Sequence, residues 1–277
     1  MNYRHAYHAG NFADVFKHVV LTRVLEYMKQ KPQPFRVIDT HAGAGLYDLT
    51  GVEAAKTGEW RDGIARLFEA GIPEPVAALL APYIAAVKSV NAAGDLRFYP
   101  GSPLIARYLM RRSDVLVANE FHGDDGAALK VRMRGQPQAK VLTIDGWQAV
   151  KSLLPPKERR GVILIDPPFE DADEFYNLRL AVAEGLSRFA SGTYVIWYPV
   201  KHATAANRFL NSMRQPPMAK SLDIRLRVCA GEPGLGLTET GVLVLNPPFT
   251  LGAEMEVILP FLTSVLAAGK GAGFTIG

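Results

Sequence analysis

A chain of 277 residues, 48% of them hydrophobic, has the material for a sizeable core, and the simplest reading is one α/β domain with an insertion. The only cysteine, Cys229, excludes an internal disulfide, and six scattered histidines offer none of the spacings of a structural zinc site, so a reducing compartment and no metal are expected. Lysine and arginine number 31 against 27 acidic residues; the net charge of +4 is compatible with a nucleic-acid partner without demanding one.

The opening Met1-Asn2-Tyr3-Arg4-His5 lacks the apolar run of a signal peptide, and the apolar stretches near 75–87 and 256–268 are too short to cross a bilayer. A soluble, cytoplasmic protein with no membrane contact is therefore expected. From Asp14 to Lys29, Val15, Val19, Leu21, Val24, Leu25 and Met28 recur at helical spacing until Lys31-Pro32-Gln33-Pro34 breaks the pattern. Residues 35–39 read as the first strand, which runs into the turn Thr40-His41-Ala42-Gly43-Ala44-Gly45. Residues 46–98 are alanine-rich and helical and are assigned to an inserted helical subdomain, with 1–45 and 99–277 as the main domain. Ser102 as N-cap and Pro103 at the first helical position start a helix that runs to Arg112.

Two strands follow, 115–120 and 139–145, each ending on a carboxylate, Glu120 and Asp145. The apolar run 161–165 ends in Asp166-Pro167-Pro168-Phe169, and 194–198 forms the next strand. Strands that alternate with helices predict a parallel sheet covered on both faces. The last pair, 222–229 and 241–245, is joined by a glycine-rich loop and no helix; it reads as a hairpin whose final strand is antiparallel.

In such a sheet ligands bind beyond the carboxyl ends of the parallel strands, so the glycine turn, Glu120, Asp145 and Asp166 should face one crevice. Gly43 and Gly45 let the backbone approach a ligand, and Glu120 is suited to a ribose diol. Asp166-Pro167-Pro168-Phe169 is the most specific signal. The Asp166 carboxylate and the Pro167 carbonyl suit the two N–H groups of an exocyclic amine, the carboxylate is placed to take a departing proton, and Phe169 offers a stacking face to a flipped base. A second copy, Asn246-Pro247-Pro248-Phe249, follows the antiparallel strand and should lie at the opposite edge, in a structural role. His41 inside the turn is read as a donor to a cofactor, and His5, His8 and His202 as surface or packing residues. His18 is left open by physics alone. Lys130, Arg132, Arg134, Lys157, Arg159, Arg160, Lys201 and Arg208 are candidates for phosphate contacts, most of them simply solvated.

The blocks Tyr3-Arg4-His5-Ala6-Tyr7-His8-Ala9-Gly10-Asn11, Lys17-His18, residues 39–45, Tyr99-Pro100-Gly101-Ser102-Pro103, Arg159-Arg160-Gly161 and Ile165-Asp166-Pro167-Pro168 resemble the bacterial 23S ribosomal RNA adenine-N6 methyltransferase family RlmJ, from Tyr3 to about Phe249. The resemblance implies a class I, Rossmann-like methyltransferase fold: a mostly parallel seven-stranded sheet with an antiparallel last strand and an inserted helical subdomain. It implies an S-adenosylmethionine site at His18, His41, Ser102, Glu120, Asp145, Gly146 and Asp166, with Asp166 as proton acceptor and no metal. Tyr3 is expected to meet the RNA or close over the cofactor, and Lys17 to assist. The implied target is one adenine of 23S rRNA, numbered 2030 in the usual reference, and the implied state a monomer. Phe169 stands where family members often carry tyrosine, which removes a hydroxyl and keeps the stacking face.

Two other readings compete. A DNA adenine-N6 or cytosine-N4 methyltransferase uses the same loop chemistry, but the chain has no separate module of a size to read duplex sequence. A non-catalytic nucleic-acid-binding protein, aiding DNA uptake for example, would have no need to keep Asp39, Gly43, Gly45, Glu120 and Asp166 together.

Overall fold

The computed structural model describes residues 4–92, 94–171, 173–214, 220–231 and 236–277, so Tyr3 lies outside the described residues. Ten strands are present among the described residues: β1 Arg36–Asp39, β2 Leu46–Asp48, β3 Phe98–Pro100, β4 Val115–Asn119, β5 Ala139–Leu142, β6 Gly161–Ile165, β7 Thr193–Pro199, β8 Ser221–Arg227, β9 Glu239–Leu245 and β10 Gly273–Ile276. Eight form one sheet in the order β5-β4-β1-β6-β7-β9-β8-β10. β5, β4, β1, β6 and β7 are parallel, and β9 runs antiparallel to both its neighbours, β7 and β8, as the hairpin reading predicts. The eighth strand, β10, adds one to the seven expected. It pairs antiparallel with β8 at the sheet edge, and its four half-buried or exposed residues leave no alternation to read.

The central strands β6 and β7 read as nearly unbroken apolar runs because both faces are covered, while the edge strand β5 carries the exposed Lys140. Val37, Val162, Leu164, Val242 and Val244 point into one core, while Ile38, Ile163, Ile165, Leu243 and Leu245 point into the other. The first core is closed by helices α1 Phe12–Lys29, α4 Val76–Ser89, α5 Ser102–Leu109 and α10 Leu251–Leu266, which lie with α2 Val52–Thr57, α3 Ile64–Glu69 and α6 Gly123–Arg132 in chain order. The second is closed by α7 Gly146–Leu153, α8 Glu174–Arg188 and α9 Ala203–Met213. Helix α1 is buried nearly all round, from Val15, Phe16 and Val19 to Leu25 and including the polar Asp14, Lys17, His18 and Thr22, because the sheet covers one side and α4 and α10 the other.

Residues 46–98 hang from the antiparallel pair β2 and β3, in register Tyr47↔Tyr99. Ile64, Leu67, Leu80 and Tyr83 from this stretch are fully buried in the same core as α1 and α10. Among the described residues no helix is long and apolar enough to cross a membrane.

Candidate active site

Because β1, β4, β5 and β6 are parallel, their carboxyl ends open on one edge of the sheet. Asp39 closes β1 there, and the turn after it is tight. Gly43 has φ +61°, and a Cβ on it would lie 2.1 Å from the Tyr47 hydroxyl, so only glycine fits. Its amide donates to Glu120 Oε2 at 2.7 Å while the His122 amide donates to Oε1 at 2.7 Å, which fixes the carboxylate against the turn. Burial raises the Glu120 pKa above the ordinary value. Asn119, one residue earlier, ties neighbouring loops together: its amide donates to the Thr40 and Ile144 carbonyls at 3.0 and 2.9 Å.

His18, His41, Ser102, Glu120, Asp166 and Pro167 line one cavity, with Lys17 and His5 beside them. Ser102 donates to Asp39 Oδ2 at 2.6 Å, and the other oxygen of that fully buried carboxylate has no partner. Burial pushes the Asp39 carboxyl up to about 7, against the Ser102 bond that favours its charge. Burial drives His41 down to about 4 and His18 to about 3, so both rings are neutral at pH 7. His18 Nδ1 is 2.7 Å from the Tyr99 hydroxyl, which in turn is 3.0 Å from that of Tyr83; its Nε2 is buried without a partner. Asp145 and Gly146 do not line this cavity. The Asp145 carboxylate is exposed and caps α7 by accepting from the Gln148 amide at 3.0 Å. Gly146 packs on His41, where a Cβ would come within 2.3 Å of the ring.

Lys17 is 4% exposed, with its ammonium 2.9 Å from Asp14 Oδ1 and 2.5 Å from Asp166 Oδ2. Burial opposes the charge, but Asp14 and Asp166 outweigh it and hold the lysine pKa above its usual value. Asp14 is held well below the carboxylate range; burial opposes this and the neighbouring His5 and Lys17 overcome it. A second cavity, of about 480 Å³, lies against the same group: Asp14, Lys17, Asp166, Pro168, Phe169 and Trp197 are in its wall. His5, Lys17, Asp166 and Pro168 belong to both cavities, so the Asp166 carboxylate stands at their junction. Phe169 has φ +51°, outside the range a bulky residue prefers, and its amide is secured by Glu174 Oε2 at 2.9 Å. Its ring meets Trp197 edge-on, centroids 5.7 Å apart, and Phe175 at 4.9 Å.

Of the surface-or-packing reading, His5 takes the second form: it is half-buried, with its Nε2 2.8 Å from Asp14 Oδ2, inside the site. His8 likewise pairs with Glu59 at 3.0 Å in the wall of the second cavity. Asp14, Glu174 and Trp197 were not foreseen; only Asp14 carried a signal, its i,i+3 spacing to Lys17 on one helix. Asn246 lies at the other edge of the sheet, where its side chain donates to the Ala190 and Gly192 carbonyls at 2.8 and 2.7 Å.

The strand order, the antiparallel β9 and a glycine turn facing acids on successive parallel strands define a class I methyltransferase fold. Comparison with known proteins narrows this. The family model described as "Ribosomal RNA large subunit methyltransferase D, RlmJ" matches residues 32–275, and the chain belongs to that family. It is 43% identical to the Ribosomal RNA large subunit methyltransferase J of Escherichia coli over 98% of this chain and 96% of that protein. Against the Haemophilus influenzae protein of the same name the identity is 41%, over 100% and 98%. A solved Legionella pneumophila protein superposes with a TM-score of 0.88 at 34% identity, covering 98% of both chains.

Proposed function

We propose that this protein transfers a methyl group from S-adenosylmethionine to the N6 amino group of an adenine in 23S rRNA, the adenine flipping out of its stack into the second cavity. The observation that carries the reading is the Asp166 carboxylate at the junction of two cavities, one of about 70 Å³ lined by the donors and acceptors a cofactor would use and one of about 480 Å³ with room for a base. The names of the two bacterial relatives support rRNA as the substrate.

The donor set of the first cavity fits the cofactor. Glu120 presents a fixed carboxylate suited to a ribose diol, Gly43 admits close approach, and the unpartnered oxygen of Asp39 offers an acceptor for an ammonium group. His18, His41, Ser102, Glu120 and Asp166 would hold it, with Asp145 and Gly146 setting the position of His41. S-adenosylmethionine supplies an electrophilic methyl group on sulfur.

The protein's own part is to make a poor nucleophile competent. The lone pair of an adenine amino group is delocalised into the ring; acceptance of its two N–H bonds by Asp166 and the Pro167 carbonyl favours a pyramidal nitrogen. That nitrogen gains the methyl and loses one proton, which Asp166 accepts. Lys17 holds the carboxylate in place from the Asp14 side. Phe169 stacks on the base, worth about 1–3 kcal/mol against the cost of unstacking. A cavity of about 480 Å³ lies within the usual range of ligand sites, roughly 300–1,000 Å³. Tyr3 and Lys17 are proposed to meet the RNA, and the enzyme to act as a cytoplasmic monomer.

The test is transfer of labelled methyl groups to protein-free 23S rRNA, to a transcript with the target adenine replaced, and to double-stranded DNA, with Asp166→Ala as control. Label in N6-methyladenine of the rRNA alone is expected. Label on DNA alone overturns the substrate; undiminished transfer by Asp166→Ala overturns the mechanism.

A further inference from the structure

The helices between β2 and β3 take no part in the chemistry above, yet they grip the chain that leads into α1. The Thr57 hydroxyl donates to the Tyr7 carbonyl, and the Ile64 amide to the Gly10 carbonyl at 2.9 Å. At Gly63 the two backbones touch: a Cβ there would lie 2.1 Å from the Gly10 oxygen. Glu59 makes the most specific contact. Both its oxygens are 3.0 Å from His8 Nδ1, and Oε2 accepts from the Asn11 side-chain amide at 3.0 Å.

The Asn11 contact determines an orientation. A carboxylate repels the oxygen of an asparagine side chain and accepts from its NH2, so Glu59 turns Asn11 Oδ1 toward α1, where it caps the helix by accepting from the Asp14 amide at 2.9 Å. Asp14 then reaches Lys17 at 2.9 Å, and Lys17 reaches Asp166 at 2.5 Å. A path thus runs from the insertion to the acceptor of the proton: Glu59 holds the Asn11 side chain, Asn11 fixes the Asp14 backbone in the first turn of α1, and the Asp14 carboxylate, held also by His5 and the Gly10 amide, meets Lys17 and through it Asp166. Glu59 is in the wall of the second cavity, but phosphate docking calls for cations, and this charge is already met by His8 and Asn11.

We propose that Glu59 is a positioning residue for methyl transfer, acting through Asn11 and the first turn of α1 to fix where Lys17 presents its ammonium to Asp166. The inference rests on the adenine-methylation reading above. Glu59→Ala, Asn11→Ala, Asn11→Asp and the double alanine variant are compared with wild type on 23S rRNA. Glu59→Ala lowers kcat about tenfold, the scale of one lost charge-assisted bond, while KM for RNA and cofactor affinity stay near wild type. The double variant is no slower than Asn11→Ala, since both act along one path. Asn11→Asp separates capping from the Glu59 link: aspartate caps α1 as well as asparagine but is repelled by Glu59, so some stability is lost with the cap retained, and at a temperature where the variant is fully folded kcat still falls. Amide hydrogen exchange across residues 8–17 speeds up in Glu59→Ala.

Full kcat in Glu59→Ala or in Asn11→Asp, multiplicative losses in the double variant, or a raised KM for RNA at constant kcat would overturn the proposal. If wild type transfers no methyl to adenine, the reaction assignment fails instead, and unchanged hydrogen exchange in Glu59→Ala still overturns the link.

Discussion

Replacing Asp39 with asparagine should stabilise the protein at alkaline pH and weaken its site. Asp39 is 1% exposed, with one oxygen bonded to Ser102 and the other unpartnered, and burial raises its carboxyl from near 3.8 to about 7. A carboxyl with a raised folded pKa holds its proton better folded than unfolded. Its contribution is therefore fully present below about pH 4 and is lost as the pH rises to about 7. At about 1.4 kcal/mol per tenfold change in proton affinity, the loss at pH 8 is on the order of 4 kcal/mol, against about 2 at pH 5. Asparagine never ionises, but its NH2 group takes the place of the unpartnered oxygen at a cost of roughly 2 kcal/mol. The variant should thus match wild type near pH 5 and gain about 2 kcal/mol at pH 8, or roughly 4–8 °C in melting temperature for a chain of this size. Thermal melting of both proteins from pH 5 to 8.5 measures this, and cofactor titration should show weaker binding by the variant. A melting difference that does not change with pH would refute the argument.

Three further outcomes are expected. Asp166→Asn should lower kcat by about 10²–10⁴ in the methyl-transfer assay with folding intact, since Lys17 keeps Asp14 as a partner. Asn246→Ala should lower stability by about 1–3 kcal/mol in denaturant titration, because the Ala190 and Gly192 carbonyls lose their donors, while kcat stays at the parent value; a loss of turnover without unfolding would move the chemistry to that loop. RNA affinity, measured by filter binding, should fall linearly in log–log form as salt rises, since phosphate contacts release counterions. Insensitivity to salt would remove the basic residues as the docking surface.

Most of the sheet was legible because β1, β4 and β6 are short apolar runs that lead into acids, Asp39, Glu120 and Asp166. The connection after Cys229, whose sequence reads as a glycine-rich loop with no helical pattern, was enough to assign Asn246 to the far edge, which sequence similarity between the two Pro-Pro-Phe loops would have obscured. Strands β2, β3 and β10 escaped because three or four residues carry no periodicity, and β10 is defined only by its partner β8. The residues whose place in the site was not legible share one cause. His5, His8 and Glu174 acquire meaning from partners up to 51 positions away or across a loop turn, and nothing in their immediate sequence marks them. Asp166 and Glu120, by contrast, are announced by the strands they follow.

The buried side chains of residues 46–98 are continuous with those beneath the sheet. A segment that shares its hydrophobic interior with the rest of the molecule has no melting transition of its own, so unfolding should be a single cooperative event. Proteolytic nicking in this stretch, even far from Asp166, would then be governed by the global free energy of the protein, and any change that loosens these helices would lower the population of competent enzyme before it altered a single step of turnover.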